Sequence, residues 1–226
     1  PTFADLSRHL RNNPEIAQLC GLRNFPSKER FSAFVRNTPN NIFQNVRKSL
    51  ISRLIQLKQI SGNFIAADSC PIKANVKENN LKTNVRNRFT KTCIPKGDKD
   101  AKLGIIVTFP NNSKKIEFFW GYRNHILIDA VSELPIAELT SPANSHDSIF
   151  MIHQLKNIVS DFNLSINAVI ADSAFDSTSI LSFIINELNA QPVISRNPRR
   201  PSVFSNLKSI SDGTPVCMAG FKMTSR

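Results

Sequence analysis

Two aspartates stand in matched settings, Ala66-Ala67-Asp68-Ser69 and Ile170-Ala171-Asp172-Ser173. Each closes a short apolar run of the length expected for a buried strand. If the two strands lie side by side, both carboxylates reach one edge of a sheet, where open α/β sheets tend to bind ligands. Two carboxylates held close repel each other, and a divalent cation between them relieves the repulsion. Mg²⁺ prefers a few carboxylates together with water and phosphate oxygens. Two such ions can clamp the attacking and leaving oxygens of an in-line phosphoryl displacement. A plainer role stands beside this one: each Asp caps the turn or helix that follows it. The residues alone leave both readings open.

The rest of the chain suits a polyanionic partner. Of its 226 residues, 29 are Lys or Arg and 17 are Asp or Glu, a formal net charge of +12. Nucleic-acid-binding proteins carry such an excess, because neutralised phosphates release counterions. A basic protein without a specific partner has the same composition. The charge is densest over residues 71–102, with nine Lys or Arg against three acids. Lys73, Lys77, Lys82, Arg86, Arg88 and Lys91 of this stretch are candidate DNA contacts. Arg196, Arg199 and Arg200, in a basic run with Pro198 and Pro201, are further candidates. A hydrophobic fraction of 41% excludes a disordered chain. No apolar run approaches the ~18 residues needed to span a bilayer, and no signal segment is evident. Cysteines 20, 70, 93 and 217 form no CxxC pair. A reduced, cytoplasmic, nucleoid-associated setting is the simplest expectation.

Elements that would position these residues can be read from periodicity. Residues 1–60 read as four helices. Phe3, Leu6 and Leu10 recur at helical spacing, Asn13-Pro14 opens a second helix that Gly21 ends, and Pro26-Ser27 opens a third. Thr38-Pro39 opens the longest, with Ile42, Phe43, Val46, Leu50, Leu54 and Leu57 on one stripe. Arg47, Lys48, Arg53 and Lys58 form the opposite face, suited to DNA or simply to solvent. After Ser61-Gly62 the texture changes to a strand ending at Asp68. A long loop or insertion follows at 71–102. Strands are predicted at Leu103–Phe109, Ile116–Trp120, Tyr122–Ala130 and Pro135–Thr140. A helix is predicted from about Ser145 to Phe162, then a strand to Asp172. A helix capped by Asp176 or Ser177 comes next, then a strand at Gln191–Ser195. The fold class is therefore α/β (α+β), a mixed sheet with helices packed on it. Asp147 fits the cap of the helix near 146 and His125 a structural histidine, while Trp120 and Phe118–Phe119 fit core packing by default, with stacking on bases as the alternative.

Five segments, in order, resemble the DDE transposases of bacterial insertion sequences. They are Leu6–Leu22 with Phe25–Phe31, Ile65–Ser69, Phe119–His125, Leu134–Ile136 with Thr140–Ser148, and Val169–Asp176. The resemblance implies a ribonuclease-H-like catalytic domain at 61–226, carrying the basic insertion 71–102. A small helical domain at 1–60, for DNA binding or dimerisation, would precede it. Asp68 and Asp172 would be two of three catalytic, metal-binding acids for Mg²⁺ or Mn²⁺, with two ions in the complete site. His146 and Asp147 would be supporting residues. The implied activity is Mg²⁺-dependent DNA strand cleavage and strand transfer on element ends and target DNA, by a homodimer or larger assembly. The family's third acid is a Glu on a helix after the last strand, yet no Glu follows Glu187. The stretch Asp212–Gly220 resembles an insertion that some members place before that helix. The chain is thus expected to stop short of the third acid. A catalytically incomplete DNA-binding remnant and a structure-specific nuclease of the same fold are the alternatives.

Overall fold

The computed structural model describes residues 2–197 and divides into two compact units between Ile60 and Ser61.

The first unit holds α1 (Phe3–Asn12), α2 (Pro14–Leu19), α3 (Lys28–Asn37) and α4 (Asn40–Gln56). Local chemistry sets the starts. Thr2 and Asp5 form a reciprocal capping box, and the Ser27 hydroxyl accepts from the Arg30 amide at 3.4 Å. Asn13 departs from its expected role: its side chain makes no cap bond and donates back to the His9 carbonyl at 2.8 Å. The stripe on α4 also departs from a core role. The buried residue of α4 is Ile51, off the stripe, whereas Leu54 is half-buried and Ile42, Phe43, Val46, Leu50 and Leu57 are all exposed.

The second unit is a mixed sheet with flanking helices. Its strands are β1 (Phe64–Lys73), β2 (Lys102–Thr108), β3 (Lys115–Asp129), β4 (Pro135–Pro142), β5 (Ala168–Ala171) and β6 (Gln191–Ile194). The sheet runs β2-β3-β1-β5-β6, and β4 pairs with the second half of β3. β1, β2 and β4 are antiparallel to β3, while β1, β5 and β6 are mutually parallel. α5 (Ser148–Phe162) joins β4 to β5. α6 (Thr178–Ser182) runs on as a π-helical turn, Phe183–Glu187, and joins β5 to β6.

Two sequence expectations are corrected here. β1 does not end at Asp68 but continues to Lys73, because β3 pairs with it antiparallel over its whole second half. β3 is one strand across Gly121, where a break had been expected. Gly121 lies between Lys73 of β1 and Lys102 of β2, and a Cβ there would come within 2.0 Å of the Ile72 carbonyl oxygen. The glycine serves a close strand approach rather than a turn.

The insertion after β1 has little regular structure beyond a 3₁₀ turn at Lys77–Asn79, but it is tied down. The Asn79 side chain accepts from the Trp120 amide at 2.8 Å and donates to the Trp120 carbonyl at 2.6 Å, much as a neighbouring strand would. The Trp120 indole N–H donates to the Arg88 carbonyl at 2.6 Å. The Tyr122 hydroxyl donates to Asp98 at 2.8 Å. Burial and Asp98 together push the Tyr122 phenol up to about 12, so it stays a donor.

Candidate functional site

The β1–β5 pairing builds the site. Ala67 and Ala171 are register partners, so Asp68 and Asp172 occupy the next positions of adjacent parallel strands. Alternation along a strand puts Asp68 on the side of Phe64 and Ala66, opposite to Ile65 and Ala67. The two sides differ. Ile65, Ala67, Leu127 and Val169 are buried, with Met151, Leu155 and Ile158 of α5. Across the sheet on the Asp68 side, Phe64, Ile170 and Val193 remain exposed. This open side carries the aspartate pair.

Both carboxylates are exposed and lightly engaged. Asp68 accepts one bond through Oδ1, from the Ser69 amide at 2.7 Å. Asp172 accepts one through Oδ1, from the Ala174 amide at 2.9 Å, as the cap of the 3₁₀ turn Ser173–Phe175. The capping role read from sequence is therefore real for Asp172, and it uses one oxygen of two. Among the described residues, no cation pairs with either group. Hard oxygen donors left in hand at neighbouring positions suit a divalent metal. No cluster of three or more His, Cys, Asp or Glu placed to hold a metal occurs among the described residues.

His146 and Asp147 lie elsewhere. His146 is exposed at the turn before α5. Asp147 occupies the N-cap position of α5 without a side-chain cap bond, which corrects the expectation of a capping carboxylate. Its Oδ2 accepts from the Arg123 guanidinium at 3.2 Å, and its Oδ1 lies 3.4 Å from His125 Nδ1. Arg123 also donates to Ser69 Oγ at 3.3 Å and to the Ile105 carbonyl at 3.1 Å. One guanidinium thus ties β3 to β1, β2 and the start of α5. Sequence reasoning gave Arg123 no role. The signal was an Arg two residues before a core His on β3.

His125 Nε2 lies 2.8 Å from Ser141 Oγ, and although Ser141, His125 and Asp147 are the residue types of a hydrolytic triad, His125 Nδ1 and Asp147 Oδ1, 3.4 Å apart, make no hydrogen bond. Burial rules out that use, since Ser141 is 4% exposed and His125 2%. Burial, with a smaller push from Arg123, holds the imidazole below its ordinary value against the opposing pull of Asp147. The trio is a packing node behind Ser69, on the side of the sheet away from Asp68.

Of the candidate DNA contacts, Lys77, Lys82, Arg86 and Lys91 are exposed on the insertion. Lys73 forms an ion pair with Glu117, and Arg88 is half-buried. Among the described candidates, Arg196, two residues past β6, follows the strand paired with β5 and so lies toward the edge holding Asp172. Arg199, Arg200 and the stretch Asp212–Gly220 lie outside the described residues.

A family model described as "Transposase DDE domain" matches residues 82–208. The chain belongs to the DDE transposase family. The matched span of this transposase includes Asp172 and begins after Asp68. A comparison with curated proteins gives no match. Two solved structures are similar to the transposase chain. One is a piggyBac transposase synaptic complex with hairpin DNA, at 12% identity and a TM-score of 0.36, covering 79% of this chain and 35% of that one. The other is a Mos1 transposase paired-end complex with left transposon end, at 14% identity and a TM-score of 0.31, covering 85% of this chain and 58% of that one. The chain thus spans about a third of the first and somewhat over half of the second. No helix among the described residues is long and apolar enough to cross a membrane.

Proposed function

We propose that this transposase cleaves DNA at the ends of an insertion sequence and transfers the strand to target DNA, with Asp68 and Asp172 as metal-binding carboxylates. The observation carrying the reading is the β1–β5 register, with two exposed carboxylates at neighbouring positions, each keeping an oxygen in hand. Mg²⁺ or Mn²⁺ fits this donor set, with two ions in the complete site. When bound, such ions supply charge neutralisation at the phosphate and an activated attacking oxygen. The chain's own contribution is placement. The Ser69 and Ala174 amides fix one oxygen of each carboxylate, and the open sheet side lets a phosphodiester approach.

Lys77, Lys82, Arg86 and Lys91 grip the DNA backbone, with Arg88, Arg196, Arg199 and Arg200 contributing. Lys73 contributes less, since Glu117 already engages it. The first unit serves DNA binding or dimerisation. The exposed stripe on α4 supports dimerisation, as a face for a second copy in an assembly formed on DNA.

The test is nicking of DNA carrying the element ends by the full-length protein. Cleavage should require Mg²⁺ or Mn²⁺ and should be lost in Asp68→Asn and in Asp172→Asn. Unchanged cleavage in either variant overturns the assignment. Binding without cleavage under any metal points to a catalytically incomplete DNA binder. Cleavage without strand transfer points to a nuclease.

A further inference from the structure

The support of β1 changes at the first aspartate. Pairing with β5 ends at Ala67 and Ala171, so from Asp68 to Lys73 the strand is held by β3 alone. A metal-binding carboxylate is only as well placed as the groups that orient it. Asp68 Oδ1 accepts from the Ser69 amide at 2.7 Å, so the Ser69 peptide sets the direction of the carboxylate. That peptide sits where the sheet has lost one of its two flanking strands.

Arg123 supplies a second hold at this place. Alternation puts the Ser69 side chain on the α5 side of the sheet, opposite to Asp68. There Arg123 Nη1 donates to Ser69 Oγ at 3.3 Å. The guanidinium is itself fixed from two other directions. Nη1 also donates to Asp147 Oδ2 at 3.2 Å, and Nη2 donates to the Ile105 carbonyl at 3.1 Å. Asp147 makes no cap bond to α5, and its Oδ1 has no hydrogen-bond partner, so Arg123 is what its carboxylate engages. Both side chains are largely withdrawn from solvent, at 25% and 14% exposure, where an ion pair is screened little. Two contacts thus hold the arginine, and the third passes that rigidity to the residue whose amide holds Asp68. A planar fork of donors suits this use, whereas a single ammonium cannot reach three acceptors at once.

We propose that Arg123 is a positioning residue for Asp68, acting through Ser69 from the covered side of the sheet, with Asp147 as its anchor. The tie runs Asp147–Arg123–Ser69–Asp68 and keeps the carboxylate aimed for its metal. The proposal rests on the reading of Asp68 as a metal ligand.

The test is Mn²⁺ affinity of the full chain, read by electron paramagnetic resonance at a temperature where thermal unfolding shows every variant folded. Arg123→Gln leaves Asp147 unpaired and costs stability, so Ser69→Ala is the cleaner variant: it cuts the tie and keeps the Ser69 amide. Each should weaken Mn²⁺ binding by about 10-fold, and the double variant should be no weaker than Arg123→Gln alone. Arg123→Lys keeps the charge beside Asp147 and should still lose affinity. Ser141→Ala loosens the packing around His125 without touching Ser69, and its affinity should match wild type. Loss in Asp68→Asn with wild-type affinity in Ser69→Ala or Arg123→Gln overturns the positioning role and leaves the metal reading standing. Additive losses in the double variant, or an equal loss in Ser141→Ala, also overturn it. Equal Mn²⁺ binding by wild type and Asp68→Asn overturns both readings.

Discussion

Asp129 and the Asp68–Asp172 pair belong to one sheet and show opposite uses of the same side chain. Asp129 is fully buried and accepts from the Ser61 hydroxyl, the Gly62 amide, and the Ser132 amide and hydroxyl, at 2.7–3.0 Å. It ties the entry to β1 to the β3–β4 turn. Asp68 and Asp172 each hold one local amide and face water. A carboxylate whose lone pairs are all met from within holds the fold; one with oxygens in hand can accept a ligand from outside. The two-sided sheet produces the division, since α5 covers the side facing Ile65 and Val169 and leaves the side of Asp68 open.

The largest effect should separate the two uses. Asp68→Asn and Asp172→Asn should cut the cleavage rate by at least about 100-fold, the scale for removing one electrostatic stabiliser of a transition state. Their unfolding free energies should stay within about 0.5 kcal/mol of wild type, because exposed changes of this kind touch little else. Asp129→Ala should reverse the pattern, with about 3 kcal/mol lost in urea unfolding as four donors lose a charged acceptor. A cleavage-dead but fully stable Asp129→Ala would erase the comparison.

The pH dependence sharpens it. Burial alone would raise the Asp129 carboxyl, but the Ser132 hydroxyl and amide, the Gly62 amide and the Ser61 hydroxyl together hold it below its ordinary 3.8. The stability it contributes is present above that value and is lost as pH falls through the lowered folded one. Acid unfolding should therefore begin at higher pH in Asp129→Asn than in wild type.

Gly121→Ala should cost about 2 kcal/mol, since its Cβ would meet the Ile72 backbone, which cannot swing away. A neutral result in thermal unfolding would mean that β1 and β3 separate at low cost. The smallest effect belongs to His125. Its folded value lies below the ordinary 6.5, so stability should decline as pH falls below 6.5 toward that lowered value. His125→Gln should flatten this part of the curve by about 1 kcal/mol or less.

Much of the architecture was legible because periodicity reports burial. Strand and helix order followed from alternation and from patterns such as Ala168–Ala171 and Ile149, Ile152, Leu155, Ile158 and Val159, although Ile149 proves exposed and Met151 buried in its place. Boundaries depended on pairing, which sequence does not display. β1 runs past Asp68 only because β3 lies beside it, and Gly121 marks a strand approach that a single-chain reading takes for a break. The stripe on α4 predicts an apolar face but not whether anything within the chain covers it. At the site, the two matched Asp-Ser settings exposed the pair. The Arg123–Asp147 contact spans 24 residues and joins a strand to a helix start, so it left no local pattern. The distinction between Asp129 and Asp68 was equally hidden, since both end apolar runs and only three-dimensional partners tell them apart.

Metal binding by the chain itself tests the central claim most directly. Titration with Mn²⁺, followed by electron paramagnetic resonance, should reveal a site in the wild type that is weakened in Asp68→Asn and in Asp172→Asn and intact in Glu117→Gln, whose carboxylate is engaged by Lys73. Equal Mn²⁺ binding by wild type and both Asp variants would contradict the assignment of this pair as the metal centre.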